Sequence, residues 1–369
     1  MSLNCGIVGL PNVGKSTIFS ALTAAPAEAA NYPFCTIDPN VGIVQVPDPR
    51  LEKIAEIIPT EKIIHAVVEF VDIAGLVKGA SKGEGLGNRF LAHIRETDLI
   101  VHVVRCFEDA DVAHVTGNIS PVDDIETVNV ELALADLETV QKRLSRLEKE
   151  KKVNDKDQAK RAVATEPVVL KLQSALEEGR AARSVELSTE ELELIADIHL
   201  ITMKRTIYLC NVDDQGLTGE SPYVDAVEKH AAGDGAKVMR ISGKLEAEIA
   251  DLDDPEERAA FLEDAGLEES GLDHMIREAY AALGLRTFFT AGPKEVRAWT
   301  FHEGAKAPEA AGVIHSDFQR GFIRAETYSC EDLFALGSEQ KVRQAGKLRQ
   351  EGKEYVVQDG DVMNFKFNV

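Results

Sequence analysis

The segment from Gly9 to Ser16 reads Gly-Leu-Pro-Asn-Val-Gly-Lys-Ser, which fits the pattern G-x-x-x-x-G-K-[ST]. Glycines in this pattern let the backbone wrap a polyphosphate with its N–H groups pointing inward. Lys15 is expected to reach the β- and γ-phosphates, and the Ser16 hydroxyl is expected to bind Mg²⁺. The predicted phosphate-binding residues are Asn12, Val13, Gly14, Lys15, Ser16 and Thr17.

The neighbouring sequence predicts the elements that such a loop needs. Cys5 to Val8 indicates a short buried strand, and Thr17 to Thr23 indicates a helix with one apolar face. A helix that begins at the loop adds partial positive charge, which favours anions. The alternative is a chance glycine turn before a helix, and the motifs that follow in the chain argue against it.

Two further motifs predict a metal ion beside the phosphates. Thr36 lies in a loop before a predicted strand at 41–46, where nucleotide switches place a second Mg²⁺ ligand. The predicted strand 67–73 ends in Asp72-Ile73-Ala74-Gly75, a D-x-x-G motif at the ligand-binding edge of an open α/β sheet. We expect Asp72 to hold a Mg²⁺-bound water and the Gly75 N–H to meet the γ-phosphate.

The residue after Gly75 raises the question of how water would be activated. Many small GTPases have a glutamine there, but this chain has Leu76, which cannot hydrogen-bond a water molecule. Either hydrolysis is very slow or another group orients the water. His114, in a polar loop at 108–124 after a predicted strand at 99–106, could be that group. The alternative is an exposed loop histidine without a catalytic role.

A later predicted strand, at 206–210, leads into a candidate base-binding loop. Asn211-Val212-Asp213-Asp214 stands where a guanine-reading loop has N-K-x-D. The asparagine and the final aspartate are retained, but the lysine is replaced by Val212, which weakens the case for strict guanine selection. Ser242 and Gly243 follow the predicted strand 237–241 and occupy the place of the last nucleotide-contact loop.

Composition limits the remaining possibilities. A chain of 369 residues, 44% hydrophobic and 28% charged, is typical of two or three globular domains. No long charge-free apolar run is present and the sequence begins directly with the predicted strand, so neither a membrane span nor a signal peptide is expected. The five scattered cysteines predict buried free thiols in a reducing cytosol.

The net charge of −22 argues against broad nucleic-acid binding, but one segment is basic. From Lys142 to Arg161 there are nine Lys or Arg against four Asp or Glu. A long amphipathic helix from Ile125 leads into this segment, a return segment follows at 167–178, and Ser188 with Glu191 predicts a capping box for a further helix. These patterns indicate a helical hairpin whose basic tip contacts an anionic partner, or else a solvated helical face.

The patterns divide the chain into three predicted domains. Residues 1–124 and 200–285 form a P-loop NTPase domain of the α/β class, and 125–199 form a helical coiled-coil insertion. Residues 286–369 form a small α+β binding domain, with strands at 296–301 and 322–328, a helix at 307–314, and a terminal hairpin formed by 355–357 and 362–367.

Together the motifs resemble the YchF/Obg-like ATPase family, a branch of the Obg group of P-loop NTPases, over essentially the whole chain. Four segments besides the P-loop carry this resemblance and are more specific than the P-loop pattern. They are Asn31-Tyr32-Pro33-Phe34-Cys35-Thr36, the segment Phe70 to Gly83, the segment Phe289 to Trp299, and Asp359-Gly360-Asp361-Val362-Met363-Asn364-Phe365.

The resemblance implies a Ras-like domain, an inserted coiled-coil arm and a C-terminal β-grasp (TGS) domain. It also implies ribosome binding, a preference for ATP over GTP, Mg²⁺ ligation at Ser16 and Thr36, and adenine contacts at Asn211 and the Val212 backbone. A family histidine that matches His114 is thought to assist catalysis. The chain departs from the family at Asp214, where the family usually has glutamate and where a guanine site would use aspartate.

The leading hypothesis is therefore a cytoplasmic, Mg²⁺-dependent ATPase that acts as a ribosome-associated switch. One alternative is a GTPase of the Obg type, favoured by Asp214. The other is a scaffold that binds RNA or the ribosome through the basic arm and the TGS domain, with nucleotide stabilising one conformation and with negligible hydrolysis because of Leu76.

Overall fold

The computed structural model describes residues 3–24, 40–73, 86–109, 112, 119–252 and 254–368. The predicted site residues Thr36, Gly75 and His114 lie outside these ranges, as do Leu76 and Cys35. The described residues belong to two compact units. The first is drawn from Met1–Ala25, Asp38–Gly42 and Glu69–Leu272, and the second from Pro26–Ile37, Ile43–Val68 and Asp273–Val369.

The strands form two six-stranded sheets. In chain order they are β1 (Asn4–Val8), β2 (Val41–Gln45), β3 (Ile63–Ile64), β4 (Val67–Asp72), β5 (Leu99–Arg105), β6 (Arg205–Asn211), β7 (Lys237–Ile241), β8 (Leu285–Ala291), β9 (Val296–His302), β10 (Phe322–Ser329), β11 (Arg349–Glu351) and β12 (Asp361–Phe367). The first sheet has the order β2-β4-β1-β5-β6-β7 and the second the order β11-β10-β12-β8-β9-β3.

The helices begin where the sequence offers capping residues. In chain order they are α1 (Lys15–Thr23), α2 (Pro49–Ile57), α3 (Leu86–Glu96), α4 (Pro121–Glu150), α5 (Lys156–Glu177), α6 (Thr189–Ile195), α7 (Asp214–Thr218), α8 (Pro222–Asp234), α9 (Gly243–Ala250), α10 (Pro255–Asp264), α11 (Gly271–Ala282), α12 (Ala307–Ile314), α13 (Ser316–Arg320), α14 (Cys330–Leu336) and α15 (Glu339–Gln344). Four of them start with proline directly after an Asp or Ser, which suits the first helical turn.

The first sheet fixes the edge at which a ligand would bind. Strands β4, β1, β5, β6 and β7 run parallel to one another. Every residue of β5 is buried, as expected for a parallel strand covered on both faces. Because parallel strands end at the same edge, the segments after β1, β4, β6 and β7 emerge together. The predicted strands of this sheet are confirmed to within one or two residues.

Helices α4 and α5 pack along each other, as the predicted hairpin requires, around a cluster that includes Val140, Leu147, Val169 and Leu172. The predicted start of the return helix at Pro167 is wrong. α5 begins at Lys156, because the Asp155 carboxylate accepts hydrogen bonds from the Asp157 and Gln158 N–H groups. Pro167 lies inside the helix. The predicted capping box of Ser188 and Glu191 is confirmed, with hydrogen bonds in both directions.

The second sheet is mixed. β8 pairs antiparallel with β9, and β10 pairs antiparallel with both β11 and β12, whereas β12 lies parallel to β8. The two-residue strand β3, which the sequence pattern did not reveal, extends this sheet by pairing with β9. A cluster of aromatic residues around Phe288, Phe301 and Phe365 packs with α12 beneath the sheet.

The predicted terminal hairpin is wrong in one arm. Residues 355–357 form only an isolated bridge, from Val356 to Lys306, and β12 pairs elsewhere. The cause is the buried Asp361 carboxylate, which accepts from the Tyr355 hydroxyl at 2.7 Å and from the Gln358 N–H at 3.0 Å. These bonds turn the chain back on itself, so it does not run on as a strand.

The thiol prediction is confirmed for the four cysteines that the structure describes. Cys5, Cys106, Cys210 and Cys330 are buried and free. Burial raises the pKa of the Cys5 thiol, as expected for an unreactive core residue. Among the helices in the described ranges, none combines the length and the apolar character that crossing a bilayer demands.

Candidate nucleotide-binding site

The loop between β1 and α1 has the backbone of a phosphate cradle. Gly14 has φ 90° and Asn12 has φ 64°, so both lie in the left-handed region. Two features exclude a side chain at position 14. The left-handed backbone disfavours one, and a Cβ there would lie 2.2 Å from the Asn211 amide nitrogen. The first turn of α1 contains no acidic residue, so no carboxylate of the helix itself opposes an anion at its N-terminus.

The side chains of this loop differ in burial. Val13 is buried and holds the loop on the sheet, while Ser16 and Thr17 are exposed at the start of α1. The Lys15 ammonium contacts the Asp72 carboxylate at the end of β4, in an ion pair that is mostly shielded from water. The structure thus brings Asp72, predicted as a metal-site residue, next to the predicted phosphate-binding lysine.

Asn211 joins two of the loops at this edge. Its Nδ2 donates to the Val13 carbonyl at 2.9 Å, and its Oδ1 accepts from the Gly243 N–H at 2.9 Å. The side chain is 5% exposed. Sequence patterns assigned Asn211 to the base alone and missed this connection to the phosphate loop. The sequence feature that could have indicated this contact is Gly14, because a residue without a side chain leaves space there for the Asn211 amide.

The base-loop candidates lie after β6 and β7. The Val212 N–H donates to the Ile241 carbonyl at 2.8 Å, so the sheet already uses that group. The Asp213 carboxylate caps α7, whereas the Asp214 side chain is exposed and accepts from the Ser242 hydroxyl at 3.4 Å. Ser242 is itself buried and caps α9, which places Gly243 at the helix N-terminus beside Asn211.

The donor atoms at this edge fit a small hard cation. The Ser16 hydroxyl and the Asp72 carboxylate are oxygen groups of the kind that Mg²⁺ prefers, and Mg²⁺ sites in nucleotide enzymes use one or two such groups together with phosphates. The third predicted group, Thr36, lies outside the described residues, as do Gly75 and His114, so the structure adds nothing to those three predictions.

The chain matches two families. Residues 4–151 match MMR_HSR1, described as 50S ribosome-binding GTPase, and residues 285–368 match YchF-GTPase_C, described as a protein of unknown function. Among curated proteins, the chain is 56% identical over 371 residues to the ribosome-binding ATPase YchF of Bacillus subtilis. It is 54% identical over 369 residues to the protein of the same name from Escherichia coli O157:H7. Both chains are covered completely in each comparison.

A solved structure gives the same result. The Schizosaccharomyces pombe YchF GTPase superposes with a TM-score of 0.89 at 38% identity, covering 99% of this chain and 98% of that one. The α/β fold predicted from the sequence is therefore confirmed, with a Ras-like P-loop NTPase domain followed by a C-terminal YchF domain. Similarity of this degree along the whole chain shows that the protein belongs to the YchF family of P-loop NTPases.

Proposed function

We propose that this protein hydrolyses ATP to ADP and phosphate with Mg²⁺ and acts in the cytoplasm as a ribosome-associated regulatory switch. One observation carries the catalytic part: a left-handed glycine loop opens α1, and Lys15 and Asp72 meet at its mouth. The names of the bacterial relatives support both ATP hydrolysis and ribosome binding.

In this proposal, one group of residues at the site binds the phosphates and another binds the metal ion. The backbone N–H groups from Asn12 to Thr17 bind the phosphates, and Lys15 places a positive charge against the β- and γ-phosphoryl oxygens. Ser16 and Thr36 would hold Mg²⁺ directly, and Asp72 through a water molecule. The bound cation neutralises phosphate charge. Positioning and electrostatics thus supply most of the catalysis.

We assign two further roles to residues outside the described ranges. The Gly75 N–H contacts the γ-phosphate, and His114 orients the attacking water in place of the glutamine that Leu76 replaces. His114→Ala should then lower turnover while leaving ATP affinity nearly unchanged. Loss of both together, or of neither, would argue against that role.

The base is held by the loops after β6 and β7. We propose that adenine lies against Asn211, Val212, Ser242 and Gly243. GTP is the second candidate nucleotide, because Asp214 retains the carboxylate that a guanine site uses and because the yeast relative is named a GTPase. Calorimetric competition of ATP and GTP for one site decides between them. Asp214→Glu should favour ATP further, and a tighter constant for GTP in the unaltered chain would reverse the assignment.

The helical hairpin, with residues 125–199 as its proposed domain, carries the proposed ribosome contact together with the proposed TGS domain at 286–369. Lys151 is engaged by Glu148 and Glu166, so its substitution would also disturb the hairpin. Lys149 and Lys152 are exposed and, within the described residues, have no ion pair. Substitution of Lys149 and Lys152 therefore tests binding to ribosomal RNA without breaking the ion pairs of Lys151.

Ribosome co-sedimentation across a salt series tests this contact. Reversing Lys149 and Lys152 to glutamate should weaken binding and flatten its dependence on salt, because fewer counterions are released. Reversal of the exposed Lys229 and Lys244 gives the same change in net charge elsewhere and serves as the control. Equal effects of the two pairs would mean that the basic tip is only a solvated face.

Phosphate release from ATP, measured with and without ribosomes, tests the proposed function as a whole. We expect slow basal release and faster release with ribosomes. Binding to ribosomes without release under either condition would favour the scaffold hypothesis instead.

A further inference from the structure

The outer face of α5 carries an apolar stripe that the rest of the described chain leaves uncovered. Val163 is 58% exposed and Leu170 is 48% exposed, and Pro167, which lies between them, is also exposed. No other large hydrophobic side chain in the described residues is as exposed as Val163. Because α5 packs its opposite face, with Val169 and Leu172, into the core of the helical hairpin, the stripe is free to contact another molecule.

The stripe is the centre of a longer row with the spacing of a coiled-coil seam. Alternating steps of four and three residues along α5 reach positions 156, 160, 163, 167, 170, 174 and 177, and all seven side chains are exposed. Steps of this kind keep side chains in line when two helices pack along each other. The row runs from the first to the last residue of the helix, so it offers a second helix a contact about 30 Å long.

This row is complementary to itself when a second copy of the helix runs antiparallel. With a two-fold axis at Pro167, Val163 lies opposite Leu170 of the second copy, so the apolar side chains cover each other. At the ends of the helices, Lys156 lies opposite Glu177 of the second copy. Each of these pairs occurs twice because of the symmetry, and no position of the row meets a like charge.

The charges at the two ends of α5 are poorly placed for an isolated helix. Lys156 begins the helix, where the helix dipole favours acidic groups, and Glu177 ends it, where the dipole favours basic groups. Within the described residues neither side chain makes an ion pair, although Glu177 accepts an amide hydrogen bond from Gln173 at 2.8 Å. An antiparallel second copy would place each of these charges beside an opposite charge.

We propose that the outer face of α5 binds a second copy of this chain in an antiparallel, two-fold arrangement, with Val163 against Leu170 and Lys156 against Glu177. One pair of helices contacts less area than a standard protein interface, so the dimer is weak, with a Kd on the order of 100 μM. The inference does not rest on the proposed function, and its test needs neither nucleotide nor ribosomes.

Sedimentation equilibrium of the full chain, over concentrations on both sides of this Kd, tests the apolar contact. Leu170→Glu should weaken self-association by about tenfold or more, because the symmetric arrangement places two unpaired carboxylates against apolar side chains. Val130→Glu is the matched control, since Val130 is also 48% exposed but lies on α4, outside the row. Equal effects of the two substitutions, or an unaltered chain that stays monomeric, would overturn the inference.

Charge reversal tests the antiparallel register. Lys156→Glu and Glu177→Lys should each weaken self-association by about three- to tenfold, because like charges then meet twice in the dimer. An equimolar mixture of the two variants should associate again, because each copy supplies the charge that the other lacks. Both substitutions suit the helix dipole, so far-UV circular dichroism should show no loss of helix. A mixture that associates no better than either variant alone would contradict this register.

Ribosome co-sedimentation decides whether the ribosome, and not a second copy, occupies the row. Leu170→Glu should bind ribosomes as well as the unaltered chain does, because the proposed ribosome contact at Lys149 and Lys152 lies outside the row. Weaker binding of Leu170→Glu to ribosomes would mean that the row contacts the ribosome, and the inference would fail while the proposed function stood.

Discussion

The Arg50 guanidinium donates to the Asp359 carboxylate, with 2.7 Å from Nη1 to Oδ2, although 309 positions separate the two residues in the sequence. Arg50 also donates to the Asp48 carboxylate at 2.8 Å, and Asp359 also accepts from the Thr287 N–H at 2.8 Å. This network fixes the start of α2 to the loop before β12, within the second unit.

We expect Arg50→Ala to lower the free energy of unfolding by about 1–2 kcal/mol, because it removes charge-assisted hydrogen bonds that are only partly exposed. Asp359→Asn should cost less, since an amide oxygen can still accept from Thr287. Urea denaturation measures both. The exposed Arg320–Asp317 pair is the control, and Arg320→Ala should change stability by less than about 0.5 kcal/mol.

Lys15→Ala should reduce the turnover of ATP by about 100-fold or more, because Lys15 is the side-chain cation placed at the mouth of the phosphate loop. Steady-state phosphate release measures this. The exposed Lys229, in α8, gives a control lysine whose removal should leave turnover near that of the unaltered protein. An active Lys15→Ala protein would refute phosphate clamping by this loop.

Asn211→Ala should weaken binding of inorganic tripolyphosphate as well as ATP, by about tenfold each. The variant leaves the Val13 carbonyl and the Gly243 N–H without their buried partner, and such losses cost about 1–3 kcal/mol. Calorimetry with both ligands measures the effect. Asp214→Ala is the comparison, since this side chain lies on the base loop and its removal should leave tripolyphosphate binding unchanged. If Asn211→Ala spares tripolyphosphate, the asparagine acts on the base and not through the phosphate loop.

The stability of the chain should fall as pH is lowered below about 6.5, partly because of His102. Burial, with a contribution from the nearby Arg183, lowers the pKa of His102 from 6.5 to about 3. Between these values the unfolded chain binds a proton that the folded chain does not, so each pH unit removes up to about 1.4 kcal/mol. His102→Leu should flatten this slope in denaturant unfolding between pH 6.5 and 4. The exposed His93 provides the control substitution, and an unchanged slope in His102→Leu would contradict the assignment.

Local chemistry explains what could be predicted from the sequence. The phosphate loop is recognisable because glycine, lysine and serine at fixed spacing serve one backbone conformation, and Gly14 indeed lies in the left-handed region. Strand β5 was predictable because a strand buried on both faces is a continuous apolar run. The capping box at Ser188 is equally local, since both of its hydrogen bonds span three residues.

Long-range contacts explain what could not be predicted. Of the two side-chain hydrogen bonds of Asn211, one reaches Val13, 198 positions away, and the other Gly243, 32 positions away. The turn that replaced the predicted strand at 355–357 depends on hydrogen bonds to Asp361, which follows it. β3 has only two residues, and its pairing with β9 is decided by tertiary structure and leaves no periodic pattern.

The inclusion of α2 and β3 in the second unit determines how the molecule can be dissected. Their sequence lies between Thr36 and Asp72, yet Leu51 and Ile54 of α2 have no exposed surface in a unit built largely from residues after 272. A truncation at the family boundary near residue 285 would uncover both side chains and leave β3 without β9. Removing the C-terminal domain would therefore expose the apolar face of α2 and promote aggregation, so the roles of the two domains are better tested by point substitutions than by truncation.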